Sequence, residues 1–391
     1  VSAARRILYH HRIRADDGQA VHVRELIGAL RAAGHDVREC ALVPKTGGDG
    51  ARPRSPWQRL ALPRAAIEVL EMLYDRRGRA MLRAAAAALR PDFVYERHAL
   101  HCRAGLDVAR ELGVPLLLEV NSPMVEEMQK LGSLRFAARA RRTEHAVLAG
   151  ADAVLAVTHV LAERLVAAGA RRERVHVIGN GAAPERFGTD AEAAARAVRA
   201  RWSLPPDAFA LGFVGYMRAW HRLELVLDAM AEPALAPLVL VLIGDGPALA
   251  PLRAAAAARG LQARVRALGE VPPELLPAHV LACDGALIPA INDYASPLKL
   301  FDSLAAGVPT VVPDQPNLRE TIDDGETGLL FRAGDARDLA RQLARLVDDR
   351  ALARRLGAAG RDRLRERRWT WAGNAERVLA VFDGLAAERR R

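Results

Sequence analysis

The chain is nearly without lysine: Lys45, Lys130 and Lys299 are the only three among 57 basic residues. Cysteine is as scarce. Cys40, Cys102 and Cys283 stand far apart with no Cys-x-x-Cys pair. Three isolated thiols build neither a disulfide framework nor a zinc-binding spacing, so a reducing, cytoplasmic setting is expected and no metal site. Aromatic residues make up 5%, and the arginines are not interleaved with them, which argues against a nucleic-acid surface. No apolar run reaches the roughly 18 residues that cross a bilayer. The opening VSAARRILYHHRI is a short alternating run with no small-residue cleavage site, and reads as a first strand instead of a signal peptide.

What is present describes a soluble globular chain: 391 residues, 51% hydrophobic and 27% charged. That length predicts two domains. The net charge of +10 is uneven, with 29 Lys/Arg against 20 Asp/Glu in residues 1–180 and near balance beyond. A basic first half suits an anionic partner: a phosphorylated substrate, an acidic polymer or a membrane surface, with contact at the inner membrane face being peripheral.

Both halves alternate compact apolar runs with helical patterns. RRILYHH (5–11), DFVYER (92–97), PLLLEV (115–120), ADAVLAVT (151–158) and RVHVIGN (174–180) read as strands of the first half. FALGFVGY (209–216), PLVLVLIGDG (237–246), RVRALGEV (264–271), CDGALIPA (283–290) and PTVVP (309–313) do so in the second. Near-continuous apolar strands separated by helices predict parallel sheets covered on both faces. The expected fold is α/β, with two Rossmann-like doubly wound domains facing across a cleft and ligands at the strand C-termini. NGAAPERFGTD (180–190) reads as the linker, residues 41–56 as a mobile loop, and 369–391 as a terminal helix with aromatics at its start.

Three stretches carry candidate chemistry. In INDYASPLKLFDSLAAG (291–307) a strand ends, and a helix is expected near Pro297 with Ser296 as N-cap. A helix N-terminus attracts phosphate, Lys299 in the first turn can reach the same anion, and Asp302 shares its face. In GFVGYMRAWHRLELVLDA (212–229) a strand turns at Gly215 and is followed by Arg218, His221 and Arg222. In VLIGDGPAL (241–249), Gly244, Asp245 and Gly246 form a turn where backbone can approach a ligand.

Taken in order, these stretches, with LGEV (268–271) and DDGETGLLF (323–331), resemble the C-terminal domain of retaining glycosyltransferases of family 4, which have the GT-B fold. ADDGQAVHVRELIGALRAAGHDV (15–37), YERHAL (95–100), LLLEVNSP around Glu119, VIGNGAAPERF (177–187) and the terminal WTWAGNAERV extend the resemblance over most of the chain. It implies an acceptor-binding domain over 1–182, a nucleotide-sugar-binding domain over 183–368, and a helix over 369–391 that packs back on the first. It further implies that Arg218 and Lys299 bind the donor diphosphate and that Asp302 holds the ribose. Ser296, Pro297 and Leu298 would cradle phosphate, with Gly18, Gly215, His221, Gly244, Asp245, Gly246 and Val271 around the donor. No cofactor is implied beyond the donor, a UDP-sugar being the family's commonest choice. No Asp-x-Asp pair occurs, so metal-independent transfer to an acceptor hydroxyl is expected, the acceptor being a polysaccharide, glycolipid or natural product.

The chain departs from the family pattern at four places. Asp302 stands where glutamate is usual, and His221-Arg222 where Lys-Gly is often found. Tyr294 stands where the first glutamate of E-x(7)-E usually touches the donor sugar. Asn121 stands where a histidine usually supports catalysis, with Glu119 adjacent and His98 after the preceding strand as further catalytic candidates. Two other readings accompany these departures: a GT-B epimerase or phosphorylase, and a catalytically degenerate nucleotide-binding partner protein.

Overall fold

A computed structural model describes residues 4–15, 18–46 and 63–390. The part of the expected loop at 47–56, and Asp16 and Asp17 of the first-strand loop, lie outside the described residues. The chain divides into two compact units, Val1–Gly179 with Trp371–Arg391, and Asn180–Thr370.

The first unit holds six parallel strands: β1 (Arg6–His10), β2 (Asp36–Cys40), β3 (Phe93–Arg97), β4 (Leu116–Val120), β5 (Ala153–Ala156) and β6 (Val175–Val177). They run in the order β2-β1-β3-β4-β5-β6. Strands β3 and β4 are buried throughout. That includes Glu96 and Glu119, which face opposite sides of the sheet. Glu96 meets His10, itself bonded to Tyr74, on the side of helix Arg64–Leu89, whereas Glu119 meets His22 of helix Gly18–Ala32. The C-terminal helix Trp371–Arg389 also packs on Gly18–Ala32, with the Trp371 ring edge-on to His22 at 5.1 Å.

The second unit holds β7 (Phe209–Val214), β8 (Leu238–Ile243), β9 (Val265–Gly269), β10 (Gly285–Leu287), β11 (Thr310–Pro313) and β12 (Leu329–Phe331), in the order β12-β11-β10-β7-β8-β9 and all parallel. Alternate residues enter different cores. Phe209, Leu211, Phe213, Leu238, Leu240 and Leu242 join one cluster; Ala208, Ala210, Val239, Val241 and Ile243 join another. Burial on both faces is why β7 and β8 read as unbroken apolar runs. The strand order reverses between β7 and β10, the place where a doubly wound sheet opens a crevice beyond its carboxyl ends.

The two units divide at Gly179/Asn180, where the expected linker begins, and the stretch 180–190 is itself structured. It holds a 3₁₀ turn at Pro184–Phe187, and the Phe187 ring is buried in the cluster that holds Leu300 and Phe301 of helix Leu298–Ala306. Strand β2 (DVREC) has only Val37 and Cys40 buried, so it lacks the continuous apolar run that marks its neighbours.

Helix Leu298–Ala306 is held from behind by helix Arg350–Glu366, and the two approach through glycine. A Cβ at Gly357 would collide with the Gly307 carbonyl oxygen, well inside van der Waals contact. Gly357→Ala should therefore force these helices apart and destabilise the protein by about 1–3 kcal/mol, as overpacking does; denaturant melts of the variant measure it.

Candidate active site

The loop after β10 and the turn after β7 meet at the strand-order reversal of the second unit. Helix Leu298–Ala306 starts there, but Ser296 does not cap it. Pro297 is the N-cap, with φ −79° and ψ 125° and no side-chain cap bond. The Ser296 hydroxyl instead accepts the Asn180 backbone N–H at 3.1 Å, and Asn180 Nδ2 donates to the Ser296 carbonyl at 2.5 Å. Two more amides fix this loop: Gln315 Nε2 donates to Ile291 O, and Asn317 Nδ2 to Asn292 O and Ala295 O. None of these three amides is visible as a site residue in the sequence, because each reaches the loop from a remote segment.

Lys299, in the first turn of that helix, lays its ammonium on the face of Phe213 at 3.9 Å from the ring centroid. It lies directly under Gly215 (φ +129°), where a Cβ would come within 3.3 Å of Lys299 Nζ. Glycine is required both by the backbone conformation and by the cation beneath it. Among the described residues no carboxylate pairs with Lys299, and burial pushes its pKa down to about 7. The cation–π contact, about 2 kcal/mol at best when desolvated, does not offset the several kcal/mol that removing an ammonium from water costs.

The other face of this small cluster is His221. Its ring meets the Phe213 edge at 5.0 Å and Trp220 at 3.8 Å, and its Nδ1 accepts the Arg218 N–H at 3.1 Å. Burial, then the neighbouring Lys299, push its pKa down to about 3, so it is neutral. Arg218 is exposed, its guanidinium over Tyr216 at 5.0 Å with no carboxylate partner among the described residues. The turn after β8 is stapled to the turn after β7: Met217 N–H donates to Asp245 O at 2.7 Å and Ala248 N–H to Met217 O. Gly246 N–H donates to the Asp245 carboxylate, Gly244 N–H to Gly269 O, and Val271 packs partly buried nearby. Asp302 is half-buried on the helix. Tyr294 is buried and its hydroxyl accepts Asn292 Nδ2 at 2.7 Å, so it supports the loop from inside.

In the first unit the three catalytic candidates differ sharply. Glu119 is buried and takes four donors: Arg97, His22 Nε2 at 3.0 Å, Tyr95 OH at 2.6 Å and Asn121 Nδ2. Burial pushes its pKa up, but His22, Arg97 and these hydrogen bonds hold it well below the usual carboxylate range. A carboxylate so committed cannot act as nucleophile or base. Asn121 is half-buried just past β4, its Nδ2 on Glu119. His98, just past β3, has its Nδ1 buried without a partner among the described residues, and burial pushes its pKa down to about 4. Gly18 is exposed at the start of its helix.

On the opposite side of the same sheet His10, Glu96 and Cys102 bring potential metal-ligating atoms within 4.8 Å of one another. They already bond among themselves and to neighbours: His10 Nδ1 with Glu96 at 2.5 Å, His10 Nε2 with Tyr74 OH at 2.9 Å, and Gly105 N–H to Glu96 at 3.0 Å. These bonds occupy both His10 nitrogens and Glu96 Oε1, whereas Glu96 Oε2 is buried with no partner among the described residues.

Lys299 gives a stability test with a defined sign. The unfolded chain holds this proton up to its ordinary value near 10.5, the folded chain only to about 7. Between those values the unfolded state binds more protons, so the cost of the buried charge is full below pH 7 and fades above it. Lys299→Met should melt higher than the parent at pH 6, with the gap closing toward pH 9–10; thermal melts across pH read it.

The comparisons with known proteins bear on the family and the fold. Residues 195–363 match the glycosyl transferases group 1 model, and residues 17–181 match a glycosyl transferase 4-like domain. A D-inositol 3-phosphate glycosyltransferase of Thermomonospora curvata is 30% identical over 67% of this chain and 66% of its own. The 2-deoxystreptamine glucosyltransferase of Streptomyces kanamyceticus is 28% identical over 63% of this chain and 65% of its own. The chain thus spans slightly under two thirds of the length of these relatives. Anabaena HepE, solved in complex with UDP, superposes with a TM-score of 0.71 over 97% of this chain and all of its own at 16% identity, which shows a shared fold. With two parallel six-stranded Rossmann-like units and both family models matched in chain order, this protein belongs to the group 1 glycosyltransferases of the GT-B fold.

Proposed function

We propose that the protein is a retaining, metal-independent glycosyltransferase that moves a sugar from a nucleoside diphosphate sugar to an acceptor hydroxyl. The observation that carries this reading is the desolvated Lys299 ammonium, without a carboxylate partner among the described residues, at a helix start and a strand-order reversal. A diphosphate supplies the missing counter-charge. Lys299, the exposed Arg218 guanidinium and the first N–H groups of helix Leu298–Ala306 receive it, and Asp302 takes the ribose hydroxyls.

In the transfer step the bond from the anomeric carbon to the diphosphate oxygen breaks, its electron pair leaving on the diphosphate. The acceptor oxygen bonds to the anomeric carbon on the same face, and the acceptor proton passes to the departing diphosphate oxygen. Electrostatic stabilisation of that leaving group is the protein's main contribution. It needs neither a carboxylate nucleophile nor a metal, since the two cations and the helix terminus carry the charge. UDP is the first nucleotide to test, HepE having been solved with it. The acceptor falls to the basic first unit. The relatives' names support a small polar molecule, and the charge also favours peripheral contact with an anionic membrane. Among the described residues no helix is long and apolar enough to cross a membrane.

Lys299→Ala should keep its fold by circular dichroism and lose about 100-fold or more in turnover, while a chelator leaves the parent rate unchanged. Near-normal turnover by the variant would overturn the diphosphate assignment. A second signature is protonic. At pH 8 UDP binding should take up protons as Lys299 recharges, measured by calorimetry in two buffers of different ionisation enthalpy. Uptake should vanish in Lys299→Ala.

A further inference from the structure

The transferase reading leaves Asn121 as an unexplained departure, and the bonds around Glu119 give it a definite job. Strands β3 and β4 pair Arg97 with Glu119, which puts a guanidinium beside the carboxylate. His22 and Tyr95 occupy Oε2, while Arg97 and Asn121 occupy Oε1. Tyr9 stacks on Tyr95 at 4.7 Å, and Trp371 closes the far side of His22. Glu119 is ionised, and an ionised carboxylate only accepts hydrogen bonds.

The orientation of the Asn121 amide follows from that. Its NH₂ must face Glu119, so its carbonyl oxygen must face away. That oxygen has no partner among the described residues, and the side chain keeps partial access to solvent at the carboxyl end of β4. A free asparagine amide could present either end to a ligand; this one can present only an acceptor.

We propose that Glu119 is a positioning residue that locks Asn121 with its carbonyl outward, where it accepts a hydrogen bond from a hydroxyl of the sugar or acceptor during transfer. The inference rests on the transferase reading. It separates the two neighbours by role: Asn121 touches substrate, whereas Glu119 acts only through Asn121. An aligned amide acceptor binds a hydroxyl group and offers nothing to a group that only accepts. It therefore selects a substrate that carries a free hydroxyl at that position.

The test uses the full-length protein, first screened for sugar transfer or donor hydrolysis with UDP-, GDP- and ADP-sugars. Glu119→Gln can turn its own NH₂ toward Asn121 and release the amide. Its kcat should fall about 3- to 10-fold, the equivalent of one hydrogen bond between neutral groups, with UDP affinity unchanged. Because Glu119 is buried beside Arg97, that variant can fail to fold, and Asn121→Asp gives the independent reading. Two adjacent carboxylates share one proton, raising one pKa. While protonated, the new side chain donates to Glu119 and keeps its carbonyl outward, as asparagine does. Activity of Asn121→Asp should therefore approach the parent's at acid pH and fall as pH rises through the raised value. Asn121→Ala should be low at every pH. The charged and titratable groups around this pair are Arg97, His22, Tyr95 and Tyr9, with His11 and Glu39 beyond, and all are retained in the Asn121 variants.

A pH profile of Asn121→Asp parallel to the parent's, or full activity of Asn121→Ala, overturns the assignment of these two residues while leaving the transferase reading standing. Absence of turnover by the parent across all donors overturns both.

Discussion

A desolvated ammonium with no carboxylate partner among the described residues is the constraint on which the second unit is built. Lys299 sits on Phe213, beneath Gly215 and beside a neutral His221. None of these neighbours neutralises it. A carboxylate in any of these places would satisfy the charge and, on the proposed reading, weaken the site for a diphosphate. A second protonated group would push the ammonium toward neutrality, and burial of His221 prevents that. The resulting cost is borne by the surrounding fold: amide clamps from Asn180, Gln315 and Asn317, and the glycine contact between Gly357 and Gly307. Sites that bind charge tightly are commonly destabilising in the empty protein, and here the instability can be assigned to one side chain.

The first unit solves the opposite problem. Its interior carries buried histidine–glutamate pairs, among them His10 with Glu96, His11 with Glu39, His22 with Glu119 and His101 with Glu68. In every one the carboxylate has further donors. Glu68 takes the backbone N–H groups of Arg135 and Phe136, and Glu39 those of Lys45 and Thr46. Bonds of this kind fix the geometry of buried charges, although Glu96 Oε2 and His101 Nδ1 stay buried without a partner among the described residues. The contrast separates the units by chemistry: one holds a buried ammonium without a carboxylate partner among the described residues, and the other holds buried histidine–carboxylate pairs.

This difference also explains how much of the fold and site is legible in the sequence. Lys299, Gly215, Gly244 and Gly246 lie in short contiguous stretches whose turn chemistry is local, so the residue types alone mark their neighbourhood. The strands of the second unit are equally plain, since burial on both faces leaves unbroken apolar runs. Glu119 is legible only as a catalytic candidate. Its four donors come from residues 22, 95, 97 and 121, and no local spacing announces that they converge. Ser296 misleads for a related reason. A serine before Pro297 has the composition of an N-cap, but its hydroxyl is claimed by Asn180, more than a hundred residues away. Strand β2 and the alanine-rich helix Arg64–Leu89 escape a pattern-based reading because their burial is intermittent.

Why a chain so rich in arginine keeps a lysine at position 299 follows from the same electrostatics. A guanidinium cannot lose its proton at any physiological pH. Placed under Gly215 without a carboxylate, it would impose the full desolvation cost whether or not an anion was present. An ammonium whose pKa has been pushed down to about 7 can shed its proton when no anion is near and, on the proposed reading, recover it when a diphosphate binds. On that reading the site carries its full charge only when that charge is used. Arg218 needs no such provision, because it is exposed and water stabilises its charge between turnovers. The division between a titrating lysine inside and a permanent arginine outside is therefore what burial alone would select.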